Sequence, residues 1–214
     1  MGATGLDGGH LVSILAGGPS VASVVAPGRR GLDAWAGRPE ITAPVVDFAD
    51  LGRSQDLFLA DQLFICLGTT LKKAGSKAAF RAVDLEAVRA SATVAFAAGI
   101  RDVFLVSSVG ASHRARSFYL QVKQEAEEAV AALPFRSVHV FRPSVLTGDR
   151  NERRPGERLG IAVGTLLAPL MVGPARRYRP IAARTVAQAM ARAAADPGRG
   201  RRTWESEEIA ALGG

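Results

Sequence analysis

Cysteine is nearly absent from the 214-residue chain: Cys66 stands alone, inside the apolar run LFICL. A single thiol excludes a disulfide framework, and its surroundings read as those of a small buried hydrophobe. Histidine is almost as scarce. His10, His113 and His139 lie far apart without the spacing of zinc ligands, so no structural metal is expected. Long apolar runs are missing as well: none approaches the ~20 residues that cross a bilayer, and the N-terminus lacks the charged-then-apolar pattern of a secretion signal. The expectation is a soluble, cytoplasmic protein without a membrane partner.

Lysine is rare, too. Of the 27 basic residues 23 are Arg, and the net charge is +7. With Ala and Gly also abundant, this bias reads most simply as a GC-rich coding sequence. Arginines cluster at 150–158, 176–179 and 199–202, but without interleaved aromatics or a zinc-finger or RNA-recognition pattern. Solvated surface is the reading, and nucleic acid is not an expected partner; part of the first cluster is kept for cofactor binding.

What is present is an alternation. Short apolar runs at 21–26, 43–48, 63–68, 102–108 and 137–144 are rich in Val, Ile and Phe and bounded by Gly, Pro and Asp, as buried parallel strands are. Helical periodicity separates them, in LDGGHLVSILAG, VDLEAVRASATVAFAAG and YLQVKQEAEEAVAAL, with Gly99 and Pro134 as stops. The pattern predicts an α/β fold, a Rossmann-type doubly wound parallel sheet. At this length one domain can bury roughly 70% of its unfolded surface. Residues 1–214 are therefore read as a single domain. After residue 150 the pattern loosens into a helix, RTVAQAMARAAAD, and a terminal TWESEEIAALGG; 151–214 is assigned to a C-terminal flap and a wall on the substrate side.

Two constellations carry chemistry. GATGLDG, residues 2–8, opens the helix LVSILAG. Glycines let the backbone turn tightly and approach a pyrophosphate, and the helix N-terminus offers it N–H groups and a positive dipole end. Asp7 would repel that anion unless it points away or caps the helix. About 20 residues further on, where NAD-binding proteins place an acidic residue, stand Arg29 and Arg30, which favour the 2′-phosphate of NADP(H).

In SFYLQVKQEAEEAV, Tyr119 and Lys123 are four apart and share one helix face. A phenol near pKa 10 is a poor acid–base group at neutrality, and an adjacent ammonium lowers that value. Ser107 and Ser108 end the preceding strand, where open α/β sheets bind ligands, and either hydroxyl could donate to a carbonyl oxygen; Ser108 is favoured and Ser107 is the runner-up.

These stretches, with GRR, FICLGTTLKKAG, FLVSSVGAS and FRPSVLTGDRNERRPGE, resemble the short-chain dehydrogenase/reductase superfamily, and more narrowly its atypical branch of Tat-interactive-protein-like oxidoreductases. The resemblance covers nearly the whole chain. It implies an NADP-binding sheet of strand order 3-2-1-4-5-6 and hydride transfer to the carbonyl of a small molecule, with Tyr119 giving the proton, Lys123 tuning it and Ser108 orienting the oxygen.

By the same resemblance the cofactor would be held by Gly2, Thr4, Gly5, Leu6, Asp7 and Gly8 in the loop and by Arg29 and Arg30 at the adenosine phosphate. Leu67 and Gly68 would lie on the ribose side, and Leu146 and Arg154 would close over it. A monomer or homodimer is expected. The alternative is a redox-sensing regulator that binds NADPH without turnover. Only Met1 precedes the loop, so the first central strand is expected to be missing and the natural start to lie upstream.

Overall fold

The computed structural model describes residues 1–31, 33–148, 171 and 173–214. Helix α1 (Leu6–Ala16) leads into β1 (Val24–Val25) and β2 (Ile41–Thr42), then β3 (Gln62–Ile65). A short helix α2 (Leu71–Ala74) precedes α3 (Lys77–Arg81), which runs through a π-helical turn at Ala82–Glu86 into α4 (Ala87–Ala97). Then come β4 (Asp102–Val106), α5 (Phe118–Ala131), β5 (Ser137–Arg142) and β6 (Leu146–Thr147). The chain closes with β7 (Ile181–Ala182), α6 (Ala183–Ala195), β8 (Gly200–Glu205) and α7 (Ser206–Gly213).

Among the described residues all strand pairs are parallel. The main sheet has the order β3-β4-β5-β8, and β1-β2 and β6-β7 form separate two-stranded sheets. This is a Rossmann-type α/β fold in which β1-β2 is split from the main sheet. The split falls between β1 and β3, where the resemblance places the first central strand. On the β3 side Met1 pairs with the sheet: its amino group donates to Phe64 O at 2.7 Å, and Cys66 N donates to Met1 O at 2.9 Å.

Alternation along the strands builds a core on each face. Val103 and Leu105 of β4 and Val138 and Val140 of β5 face α3, α4 and α5, packing with Phe80, Leu85, Val88 and Val122. Phe104 and Val106 of β4 and Phe141 of β5 face the other way, against α1, α6 and α7 through Leu11, Val186, Met190 and Ile209. Strand β4 is buried at every position, as a central parallel strand must be. A third and smaller cluster, Ala3, Val12, Ala26 and Ile41, is what joins α1 to β1 and β2.

The C-terminal segment differs from the flap expected of it. Strand β8 is the fourth strand of the main sheet, paired with β5 from Ser137↔Gly200 to Arg142↔Glu205, and α6 and α7 are core helices. A capping box between Glu205 and Glu208 starts α7. The arginines of 199–202 are not merely solvated: Arg201 pairs with the buried Glu127, and the Arg202 guanidinium lies 3.4 Å from the Trp204 ring centroid. His139 is a core residue, accepting from Trp204 Nε1 at Nδ1 (3.0 Å) and therefore donating from Nε2 to Pro197 O (2.8 Å). The remainder of the segment assigned to a flap, 151–170, lies outside the described residues.

Candidate active site

The glycine loop runs over the end of β3. Gly2 has φ +85°, and a Cβ there would stand 2.4 Å from Cys66 O; a Cβ on Gly8 would stand 2.2 Å from Gly2 O. Both positions need glycine for close backbone approach. Gly5 N donates to Gly2 O, and no side chain caps the start of α1. The helix thus starts uncapped beside the exposed Thr4 and Gly5, an arrangement open to an anion. Leu6 packs against Gly148, just past β6. Leu146 is half-buried at the same end of the sheet.

Asp7 is buried, and its charge reaches Lys123 and Cys66. Burial, foremost, and this neighbouring carboxylate push the Cys66 thiol up to about 12, so it is no nucleophile at neutral pH. Arg29 and Arg30 are exposed, just beyond the bridge that extends β1 and β2 at Gly28↔Val45. Neither forms an ion pair among the described residues. Arg154 lies outside them.

Helix α5 brings Tyr119 and Lys123 to the C-terminal ends of β3 and β4, one turn apart. The Lys123 Nζ lies 5.9 Å from the Tyr119 ring centroid, 2.8 Å from Asp84 Oδ1 and 3.5 Å from Leu67 O. The ring of Tyr119 rests on Phe80, centroids 5.7 Å apart, while its side chain stays half-buried. Gly68 lies against the ion pair: a Cβ there would lie 3.5 Å from Lys123 Nζ and 3.6 Å from Asp84 Oδ1. Burial works against the Lys123 ammonium, but Tyr119, Asp84 and Asp7 together hold its pKa above the ordinary value.

The two serines part company here. The Ser107 hydroxyl donates to Glu127 Oε1 at 2.6 Å inside a buried network, in which Glu127 also accepts from Arg142 Nε (2.9 Å) and Nη2 (2.7 Å) and from Arg201 Nη2 (3.1 Å). Ser108 is half-buried, and its hydroxyl has no partner among the described residues. Of the two, Ser108 is the hydroxyl left for a ligand.

Two acidic residues were not singled out from the sequence. Asp84 sits in the π-helical turn between α3 and α4, fully buried, with Oδ2 accepting from Thr69 N at 2.8 Å. Glu127 is one turn beyond Lys123 on α5. The signals were there: a carboxylate inside the apolar VDL of a helix, and another at the i+4 position of the helix face already assigned to the site.

No family model matches the chain. Protein HTATIP2 of Rattus norvegicus is 40% identical over 164 residues, which are 74% of this chain and 66% of that protein. Protein fmp52, mitochondrial, of Emericella nidulans is 31% identical over 162 residues, 73% of this chain and 70% of its own length. The chain belongs to the HTATIP2/FMP52 family, a family of NAD(P)-binding oxidoreductase type. It spans about two thirds of the length of these family members. Among solved structures, MoeE5 in complex with UDP-glucose and NAD superposes with a TM-score of 0.71 at 19% identity, covering 99% of this chain and 79% of that one. That likeness is one of fold. No helix among the described residues is long and apolar enough to cross a membrane, and the fungal family member carries "mitochondrial" in its name.

Proposed function

We propose that the protein is an NADPH-dependent reductase of a small carbonyl compound. One observation carries the reading: a half-buried phenol and a buried charged lysine one helical turn away stand together at the C-terminal ends of the strands, and Ser108, just past β4, has a hydroxyl without a described partner. The glycine loop and the residues around it fit a dinucleotide. Gly2 and Gly8 leave no room for side chains, the uncapped start of α1 lies beside the exposed Thr4 and Gly5, and Arg29 and Arg30 stand exposed beyond β1. The backbone of residues 4–8 would take the pyrophosphate, the two guanidiniums a 2′-phosphate, and Lys123, Leu67 and Gly68 the ribose side.

When bound, reduced nicotinamide supplies hydride. The chain's own part is acid–base chemistry. Ser108 donates a hydrogen bond to the carbonyl oxygen and fixes its place, Tyr119 gives that oxygen a proton from Oη, and the Lys123 ammonium stabilises the phenolate that remains. Phe80 behind the Tyr119 ring limits where the phenol can point. The small-molecule substrate, a monomeric or dimeric state and a cytoplasmic location belong to the proposal.

Titration with NADPH and with NADH tests it. Tighter binding of NADPH is expected. Preference for NADH would remove the role given to Arg29 and Arg30, and no binding of either would end the oxidoreductase reading for this chain.

A further inference from the structure

The π-helical turn at Ala82–Glu86 interrupts an otherwise regular helix and turns a carboxylate into the protein. Such single turns in α-helices often mark functional sites. We propose that Asp84 is a positioning residue for the Tyr119–Lys123 couple: it aims the Lys123 ammonium across Gly68 at the ribose side of the site and keeps it charged. The inference rests on the reading of Tyr119 and Lys123 as the proton-donating couple.

The two oxygens of Asp84 differ: Oδ2 accepts a hydrogen bond, whereas the buried Oδ1 has the ion-pair contact without a hydrogen bond of normal geometry. Oδ1 is 2.8 Å from Lys123 Nζ and Oδ2 accepts from Thr69 N, in the loop that carries Leu67 and Gly68. One carboxylate therefore fixes the lysine and the loop with respect to each other. Stability alone does not account for the pair. With side chains 6% and 0% exposed, its desolvation cost offsets its attraction, and two packed apolar residues would hold the same elements together at least as well.

Charge is what an apolar pair would not supply. The groups that face Lys123 are Tyr119 on its own helix, Asp84 on the π-helical turn, Asp7 at the start of α1 and Cys66 at the end of β3. Burial keeps the Cys66 thiol protonated at neutral pH, and the carboxylates opposite the ammonium are Asp84 in direct contact and Asp7 at longer range. Removing the negative charge of Asp84 makes the first proton loss from the Tyr119–Lys123 couple easier, whichever of the two loses it.

The lysines make a direct test available. There are four, Lys72, Lys73, Lys77 and Lys123, and the first three are exposed. In protein carrying 15N-labelled lysine, the side-chain nitrogen resonances titrate individually, with the three exposed residues as internal references. In the wild type, Lys123 is expected to lose its proton at a higher pH than the references. In Asp84→Asn, which can still accept from Thr69 N, its midpoint is expected to fall by about 1–3 pH units, to below theirs. Asp84→Glu should restore most of the shift.

A wild-type Lys123 that titrates with or below the references overturns the proposal, even if Asp84→Asn does not fold. So does a folded Asp84→Asn in which the midpoint stays high. A second readout is the alkaline limb of kcat/KM for carbonyl reduction, expected to move to lower pH in Asp84→Asn, a displacement that a purely structural tie would not produce. Absence of turnover in the wild type would count against the proposed function and leave the lysine titration standing as the test of Asp84.

Discussion

The β4–β5 half of the molecule and the β1–β2 half approach the same site with unequal support. Strand β5 is paired along its length on both sides, by β4 from Asp102↔Ser137 to Val106↔Phe141 and by β8, and helices cover both faces. Strands β1 and β2 share two ladder positions, Val24↔Ile41 and Val25↔Thr42, extended by the bridge at Gly28↔Val45, and lean on one small cluster. The well-supported half carries Ser108, Tyr119 and Lys123, whose chemistry depends on tenths of an ångström. The lightly supported half carries Arg29 and Arg30, which need only meet a phosphate. A dinucleotide lying across the two would tie the weaker half to the stronger.

The largest expected effect lies on the strong side. Tyr119→Phe should lower kcat/KM for carbonyl reduction by ~10²–10⁴-fold while NADPH affinity stays close to that of the wild type. Partner regulation that survives this change, with no turnover in the wild type, would favour the redox-sensing alternative. Packing should show the same contrast: Phe141→Ala, fully buried in β5, is expected to cost about 3–5 kcal/mol in urea unfolding, and Ile41→Ala in β2 about 2 kcal/mol. Equal losses would contradict the difference drawn between the halves. On the weak side, Arg29→Ala with Arg30→Ala should raise the Kd for NADPH roughly 10- to 100-fold and leave that for NADH unchanged.

The smallest effect belongs to the junction. The Cys66 thiol ionises at about 12 in the folded chain against an ordinary value of 9.0. The folded state therefore keeps this proton longer than the unfolded state, and its contribution to stability is full below pH 9 and is lost as pH rises from 9 toward 12. Cys66→Ala should flatten that alkaline decline in thermal melts. An unchanged slope would show that the thiol does not titrate there.

These differences also explain what could be read from the sequence. The strands of the strong half announced themselves, because DVFLV and SVHVFR are apolar runs buried on two faces. Strand β8 did not: GRRTWE is an edge strand, three of its residues are exposed, and its arginines resemble surface until Glu127 and Trp204 are seen beneath them. The run at 43–48 has the pattern of a strand, yet the ladder of β2 ends at Thr42, since Pro44 brings no N–H and Val45 bridges back singly. Spacing placed Tyr119 and Lys123 on one helix face. It could not show which serine Glu127 would engage, or that a π-helical turn would bring Asp84 to Lys123 from another helix. Both depend on contacts between distant segments.

The central claim is that a nicotinamide dinucleotide bridges the two halves, and hydrogen exchange with and without NADPH tests it most directly. Without cofactor, amides of β4 and β5 should exchange slowly and those of residues 24–28 and 41–46 rapidly. NADPH is expected to slow exchange in the loop at residues 2–8 and at 24–30, with little change in β4 and β5. Saturating NADPH that leaves both of those segments exchanging as before would contradict the account.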